Sequence, residues 1–230
     1  MILAPSPIGV ELLDDPAADP ATVERALVEI ARSNYWFGGW WAVRAGLARL
    51  LAGVPRGATV TLLDVGTGAG DLPALARGWA ARRGVRLVPL GLEASAVAAR
   101  LARRRGVATA LGTAGALPLR DGAVDVALAS QVLHHFDAES ARRILRELGR
   151  VARLGVVVAD LRRSPLAGPL FRAGGAALGF HRVTVQDGLL SIRRGYKREE
   201  LAALAAGAGF AATVTPHPGF RLTATWRTGN

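Results

Sequence analysis

The sequence predicts an α/β fold, a mostly parallel sheet with helices on both of its faces. Strand and helix signals alternate from Val60 onward, which is typical of parallel strands joined by right-handed crossover helices. A glycine-dense turn at residues 66–70 joins the first of these strands to the first of these helices. At 230 residues, half of them apolar, the chain is long enough for one such domain with modest extensions.

The elements can be assigned in order, without an internal repeat. A loose, proline-containing leader at residues 1–20 precedes two helices, over about 22–33 and 40–51, with Thr22 as a candidate N-cap. Strands are expected at 60–65, 86–92, 107–111, 124–130 and 154–160, and helices at 71–82, 94–104 and 137–152. A helix near 198–206 precedes two further strands, 210–215 and 220–226. Residues 162–196, between the strand at 154–160 and this helix, are too many for a bare loop, so we expect a lid or binding element there.

Composition narrows the classes of partner. The net charge of +11 invites a nucleic-acid interpretation, but the positive residues are almost all arginines spread through predicted helices, with Lys197 the only lysine. We therefore expect no specific nucleic-acid partner. The absence of cysteine excludes disulfides, zinc-cysteine sites and thiol catalysis, and is typical of a cytoplasmic enzyme. Neither a signal peptide nor a membrane span is predicted, because no apolar run approaches about 18 residues.

The glycine-dense turn carries the strongest functional signal. Residues 62–71 read Leu-Leu-Asp-Val-Gly-Thr-Gly-Ala-Gly-Asp. Glycines permit the tight turn and let a ligand approach the backbone, while the free N–H groups of the helix start face that ligand. A dinucleotide fingerprint requires G-x-G-x-x-G, whereas the third glycine here comes one residue early, at Gly70, which disfavours an NAD-dependent dehydrogenase. Asp64 would repel a pyrophosphate but could hold an ammonium group.

Polar residues follow three further predicted strands. Glu93 ends the second strand, where an acid can accept hydrogen bonds from ribose hydroxyls; it could instead be a helix-start acid. Thr113 follows the third strand, in Thr-Ala-Gly-Ala-Leu-Pro. The fourth strand ends in Ser-Gln-Val-Leu-His-His-Phe, at the edge where open α/β sheets build their sites.

In their order and spacing, these segments resemble the motifs of class I S-adenosylmethionine (SAM)-dependent methyltransferases over about residues 58–226. The resemblance implies a Rossmann-like, seven-stranded sheet whose last strand is antiparallel, with SAM as cofactor and S-adenosylhomocysteine (SAH) as product. Thr113 departs from the family pattern, which has an acid for the adenine amino group at that place. The cofactor contacts implied by the resemblance are Asp64, Gly66, Thr67, Gly68, Gly70, Asp71, Glu93, Ala94, Thr113, Ala114 and Gln131.

The acceptor should be bound outside the sheet. The resemblance divides the chain into an N-terminal helical cover, residues 1–57, and a SAM-binding domain, residues 58–230, with a substrate-side insertion at 162–196. Aromatic side chains crowd residues 35–41, where they either cover a hydrophobic substrate or dock the N-terminal helices on the sheet. Methyl transfer needs a base only if the nucleophile must lose a proton, and His134, His135 and His181 are the candidates. No metal is predicted.

Other segments, including Asn-Tyr-Trp-Phe-Gly-Gly-Trp-Trp, resemble bacterial methyltransferases of the ubiquinone/menaquinone-biosynthesis type, often found beside type III polyketide synthases. This resemblance implies secondary metabolism and a small, lipophilic acceptor that is phenolic, quinone-like or polyketide-derived, methylated on oxygen or carbon. Two alternatives stay open: methylation of nucleic acid or protein, and a non-catalytic SAM-binding regulator. Methyltransferases that act on amino groups of nucleic acids usually carry an Asn/Asp-Pro-Pro-Tyr/Phe segment after the fourth strand. This chain has Ser-Gln-Val-Leu there, which counts against that class. Homodimerisation is also left open.

Overall fold

The computed structural model describes residues 3–12, 15 and 17–229. Seven strands form one sheet in the order β3-β2-β1-β4-β5-β7-β6. Strands β1 to β5 run parallel, and β7 runs antiparallel to both of its neighbours, β5 and β6. This confirms the predicted fold class. The strands are β1 (Thr59–Val65), β2 (Arg86–Glu93), β3 (Ala108–Leu111), β4 (Val124–Ser130), β5 (Ala152–Leu161), β6 (Thr213–His217) and β7 (Arg221–Trp226).

Helices cover both faces of the sheet, because its central strands are apolar on both sides. On one face, Ile144 of α5 and Leu201 of α8 join a buried cluster with β4, β5 and β7. On the other, Leu47 of α2 and Trp79 of α3 pack against β1, β2, β4 and β5. The helices are α1 (Pro20–Trp36), α2 (Gly39–Leu50), α3 (Asp71–Arg82), α4 (Ala96–Arg104), α5 (Ala138–Val151), α6 (Ala167–Ala177), α7 (Arg182–Arg194) and α8 (Arg198–Gly207).

Most boundaries lie within a few residues of those predicted, and the exceptions have local causes. Thr22 is not the N-cap of α1; Asp19 is, and its Oδ2 accepts hydrogen bonds from the Thr22 N–H (2.9 Å) and hydroxyl (2.7 Å). Helix α4 begins at Ala96 because the Ser95 hydroxyl caps it, accepting from the Ala98 N–H. Strand β6 begins at residue 213 rather than 210, since the Phe210 ring stacks on Trp226.

The predicted insertion contains two helices, α6 and α7, which pack on each other, and α7 also contacts α1. The leader is not loose where it is described. Pro5 forms an antiparallel bridge with Phe136, and the Ala4 N–H donates to the Ser140 hydroxyl (2.8 Å). Residues 1, 2, 13, 14 and 16, which also fall within the predicted leader and cover, lie outside the described residues. Within the described chain, no helix has the length and apolarity required to cross a bilayer.

Candidate active site

A cavity of about 960 Å³ lies at the carboxyl ends of β1, β2 and β4. Its walls come from the glycine turn, the strand ends, helices α1, α6 and α7, and the leader residues Leu3 and Glu11. Pockets for one small ligand usually measure roughly 300–1,000 Å³. The volume therefore lies at the upper end of this range.

The structure brings nearly all the predicted cofactor residues together on this cavity. Those that line it are Asp64, Gly66, Thr67, Gly68, Asp71, Glu93, Ala94, Thr113, Ala114 and Gln131. Gly70 does not line it. It is the N-cap of α3 with φ +74°, and an added Cβ would lie 2.9 Å from the Ala102 Cα. Gly70 thus lets the start of α3 pack closely against α4 and supports the turn on the side away from the cavity.

Asp64 is a buried carboxylate with one unsatisfied oxygen. The residue is only 2% exposed, and its Oδ2 accepts a hydrogen bond from the Thr67 hydroxyl at 2.9 Å. Its Oδ1 has no hydrogen-bond partner in the described part of the chain. Burial raises the pKa of Asp64 to about 8; the Thr67 hydrogen bond opposes this rise, and the charges of Asp71 and Glu93 add to it. A cation bound here would satisfy the oxygen and restore the ionised form.

Glu93 fastens the glycine turn to the end of β2. Its Oε2 accepts from the Gly68 N–H (2.8 Å) and its Oε1 from the Ser95 N–H (3.0 Å). Each carboxylate oxygen can accept a further hydrogen bond, so a contact with ribose hydroxyls remains compatible with this geometry. Gly68 itself has φ +54°, a left-handed conformation that favours glycine.

A polar chain that the sequence did not reveal crosses one side of the cavity. The Asn34 amide donates to Asp71 Oδ2 (3.0 Å) and its carbonyl accepts from Gln131 Nε2 (2.6 Å). Arg221 Nη1 donates to Gln131 Oε1 (2.9 Å). Asn34 and Arg221 are both buried. An arginine near the start of an otherwise uncharged predicted strand was the signal that could have identified this chain.

The two adjacent histidines have different environments. His134 is 3% exposed, and its Nδ1 lies 2.6 Å from Asp160 Oδ1, which also accepts from the Leu161 N–H. Burial would raise the pKa of Asp160, but the attraction and hydrogen bond of His134 outweigh it and hold that pKa below its ordinary value. An ionised carboxylate only accepts, so Nδ1 carries the proton toward Asp160. His134 Nε2, on a residue that lines the cavity, has no partner within the described residues.

His135 also lines the cavity, with its ring centroid 4.4 Å from that of His134. Glu11, His134 and His135 each offer one ligand atom, all within 4.8 Å of one another. Arg194 Nη1, however, lies 3.0 Å from Glu11 Oε1, so a metal ion would have to compete with a guanidinium for that carboxylate. His181 lies elsewhere. It is the N-cap of α7, accepting from the Val183 N–H, and is not among the cavity-lining residues.

Part of the cavity wall is apolar. It is formed by Phe37, Leu161, Ala167, Leu170, Phe171 and Ile192. The Phe37 ring packs edge-on against Phe171, with centroids 5.7 Å apart. Phe37 is the one aromatic residue of 35–41 among those lining the cavity; Trp40 belongs to the core between α2 and the sheet. Tyr35, Trp36 and Trp41 are exposed, so neither of the two expected roles of this aromatic segment describes them.

Comparisons with known proteins agree with this geometry. Residues 63–159 match a family model described as a methyltransferase domain. Among solved structures, a SAM-dependent methyltransferase from Aquifex aeolicus has a TM-score of 0.62 at 16% identity, over 91% of this chain and 98% of that one. Human N-acetylserotonin methyltransferase in complex with SAM has a TM-score of 0.64 at 14% identity, over 92% of this chain and 57% of that one.

A third similar structure is an O-methyltransferase from neocarzinostatin biosynthesis, in complex with SAH and 1,4-dihydroxy-2-naphthoic acid. Its TM-score is 0.62 at 21% identity, over 94% of this chain and 61% of that one. No curated protein matches the chain. At these identities the structures show a shared fold. The domain match shows that the chain carries a methyltransferase domain, an enzyme domain whose cofactor is SAM.

Proposed function

We propose that this chain, with its methyltransferase domain over residues 63–159, transfers a methyl group from SAM to a small, lipophilic acceptor. The acceptor is a phenolic, quinone-like or polyketide-derived metabolite, methylated on oxygen or carbon. The observation that carries this proposal is the cavity of about 960 Å³, whose wall combines the polar residues of the glycine turn and strand ends with apolar side chains from α1, α6 and α7. The insertion helices α6 and α7 and the leader form part of its wall, and a concave site of this size favours a small molecule over nucleic acid or protein.

The polar part of the cavity wall fits SAM chemically. The unsatisfied Oδ1 of Asp64 suits an ammonium group, Glu93 suits ribose hydroxyls, and Thr113 with the backbone of Ala114 suits adenine. When bound, SAM supplies a methyl group on a positively charged sulfonium. Gly66, Gly68 and their neighbours let it approach the backbone, and Gly70 holds the turn. The chain's own contribution to this step is alignment of the two reactants.

His134 is the base that the geometry favours for a phenolic acceptor. Asp160 holds the proton on Nδ1, so Nε2, which has no hydrogen-bond partner among the described residues, is the nitrogen that would accept a proton from the acceptor. His135 is the alternative base, beside Glu11 and Arg194. In this proposal His181 has no part, because it does not line the cavity.

The finer assignments rest on the resemblance found in the sequence. They describe the protein as a cytoplasmic enzyme of bacterial secondary metabolism, similar to methyltransferases associated with type III polyketide synthases. They also assign it no nucleic-acid partner. Residues 1–57 serve as cover and 162–196 as the substrate-side insertion of domain 58–230; α1, α6 and α7 in the cavity wall support this division. A homodimer would bring together exposed aromatic side chains such as Trp36 and Trp41.

The proposal is tested with methyl-labelled SAM in a host extract separated into lipid-soluble, nucleic-acid and protein fractions. Label in the lipid-soluble fraction supports it and provides product for identification. Label in nucleic acid or protein would replace it with one of those alternatives. No label, with SAH binding intact by calorimetry, would favour a non-catalytic regulator.

The base is tested with the acceptor recovered from that experiment. The variant H134Q should lower the methylation rate by about 10²–10⁴-fold at unchanged SAH affinity, because general-base catalysis contributes that much. D160N should lower the methylation rate less, because an amide no longer holds the His134 proton on Nδ1 as firmly as the carboxylate does. H181Q is the matched control, on a histidine outside the cavity wall. A rate for H134Q within twofold of wild type would show that the acceptor needs no base at this position.

A further inference from the structure

Arg221 is a buried cation in the cavity wall whose hydrogen-bond partners are all neutral. It begins β7, is 4% exposed and lines the cavity. Its Nε donates to the Phe37 carbonyl oxygen (3.0 Å) and its Nη1 to Gln131 Oε1 (2.9 Å). No carboxylate of the described chain lies within ion-pair distance of its guanidinium, and Nη2 makes no hydrogen bond to a described residue.

A buried charge without a counter-ion is costly. Burial lowers the pKa of Arg221 to about 10, and the attraction of Asp160 only partly opposes this. Asp160 is already paired with His134 and does not line the cavity. Arg221 therefore stays protonated near neutral pH, and an anion in the cavity would supply the missing counter-charge.

The guanidinium is also held in place before any ligand arrives. Gln131 accepts the hydrogen bond from Nη1 and is itself fixed, because its side-chain amide donates to Asn34. Asn34 in turn donates to Asp71 at the start of α3. Pre-organisation of this kind reduces the entropic cost of binding. It also fixes the plane of the guanidinium and the direction of Nη2, and a planar guanidinium is the group that matches a carboxylate best.

We propose that Arg221 binds a carboxylate inside the cavity, and this inference rests on the proposed function. Two molecules could bring that carboxylate: the amino-acid part of the cofactor, or an acidic acceptor. In the first case Arg221 and Asp64, which line the same cavity, bind the carboxylate and the ammonium of one zwitterion. In the second, Arg221 selects acceptors that carry an acid group.

The experiment compares ligands that differ by the carboxylate alone. Calorimetry measures the affinities of wild type and R221Q for SAH and for S-adenosyl-3-thiopropylamine, which is SAH without its carboxylate. It then measures 1-hydroxy-2-naphthoate and 1-naphthol in the presence of saturating SAH. R44Q is the matched control, on an exposed arginine of α2 away from the cavity.

If the cofactor supplies the carboxylate, R221Q should bind SAH about 10- to 100-fold more weakly and the decarboxylated ligand as tightly as wild type, the usual effect of losing a charge-assisted pair. If the acceptor supplies it, a loss of similar size should be confined to the naphthoate. Equal losses for a ligand and its carboxylate-free counterpart, or no loss for any ligand, would overturn the proposal.

A second variant covers the case in which R221Q does not fold. R221K keeps a cation but not the planar fork, so its losses should be smaller and still confined to the carboxylate-bearing ligand. Binding needs no turnover, so these results are independent of the methyl-transfer assay. Intact carboxylate-dependent binding in a chain that methylates nothing would contradict the proposed function and leave the role of Arg221 standing.

Discussion

Replacing Asp64 with asparagine should destabilise the ligand-free protein at low pH and stabilise it at high pH. Asp64 is buried, one of its oxygens has no partner among the described residues, and burial raises its pKa to about 8 from an ordinary value of 3.8. The native protein therefore keeps the Asp64 proton through neutral pH, whereas the unfolded chain has lost it. This difference makes stability depend on pH.

The magnitude follows from the two pKa values. The native state binds the proton more tightly, so the stabilisation is fully present below pH 3.8 and is lost as the pH rises through about 8. Asparagine does not titrate, so the stability of D64N relative to wild type should rise by about 5 kcal/mol between pH 4 and pH 9. The buried amide N–H group costs about 1–3 kcal/mol at every pH. The variant is therefore the less stable protein at pH 4 and the more stable one at pH 9.

Urea unfolding of SAM-free protein, followed by circular dichroism at several pH values, measures this directly. The control is D121N, on an exposed carboxylate that pairs with Arg150. Parallel pH curves for D64N and wild type would refute the reasoning, because they would mean that Asp64 titrates alike in both states. The same variant should bind SAH more weakly at pH 7, since an amide cannot neutralise an ammonium group.

Four further variants test the turn and the leader. G68V should abolish SAH binding in a folded protein, because Gly68 has φ +54° and lines the cavity; calorimetry with unchanged affinity would remove the turn from the cofactor site. E93A should weaken SAH binding by about 1–3 kcal/mol through lost hydrogen bonds, and E93Q by less; an affinity equal to wild type for E93A would leave Glu93 a purely structural role. R194M should lower the free energy of unfolding by about 3–5 kcal/mol, because Glu11 loses a buried cationic partner and the Ile8 and Gly9 carbonyls lose a donor. Faster proteolysis at the leader would check this, and an unchanged cleavage rate would contradict it.

The sequence predicted the parts of the fold that local pattern controls. Helix α3 and strand β4 begin and end at the predicted residues, because a glycine turn and an apolar run define them. The leader was mispredicted for the opposite reason. Its prolines indicate a loop, but its order comes from contacts distant in sequence, such as the Ala4 N–H on Ser140 and the Arg194 guanidinium on the Ile8 carbonyl.

The same distinction separates the two halves of the site. The glycine turn and Glu93 lie within one β-α-β unit, so their spacing in the sequence already indicates their proximity in the fold. Asn34, Gln131 and Arg221 come from three distant segments, and no spacing rule connects them. Asp160 was recognisable as a polar residue ending a strand, but only the structure pairs it with His134.

Asp64 and Arg221 share a physical consequence that local pattern does not show. Each is a buried ionisable group, and burial favours the neutral form of each. It raises the pKa of Asp64 to about 8 and lowers the pKa of Arg221 to about 10. Both shifts reflect the same cost, because a charged form buried without a counter-ion is unfavourable. A zwitterion that paired with both would relieve two such costs at once, and its binding energy would reappear as stability. At one fixed concentration, SAH should therefore raise the thermal unfolding temperature of the wild type more than that of D64N and, if the cofactor supplies the carboxylate, more than that of R221Q. A uniform rise in all three proteins would mean that neither Asp64 nor Arg221 contributes to the binding of SAH.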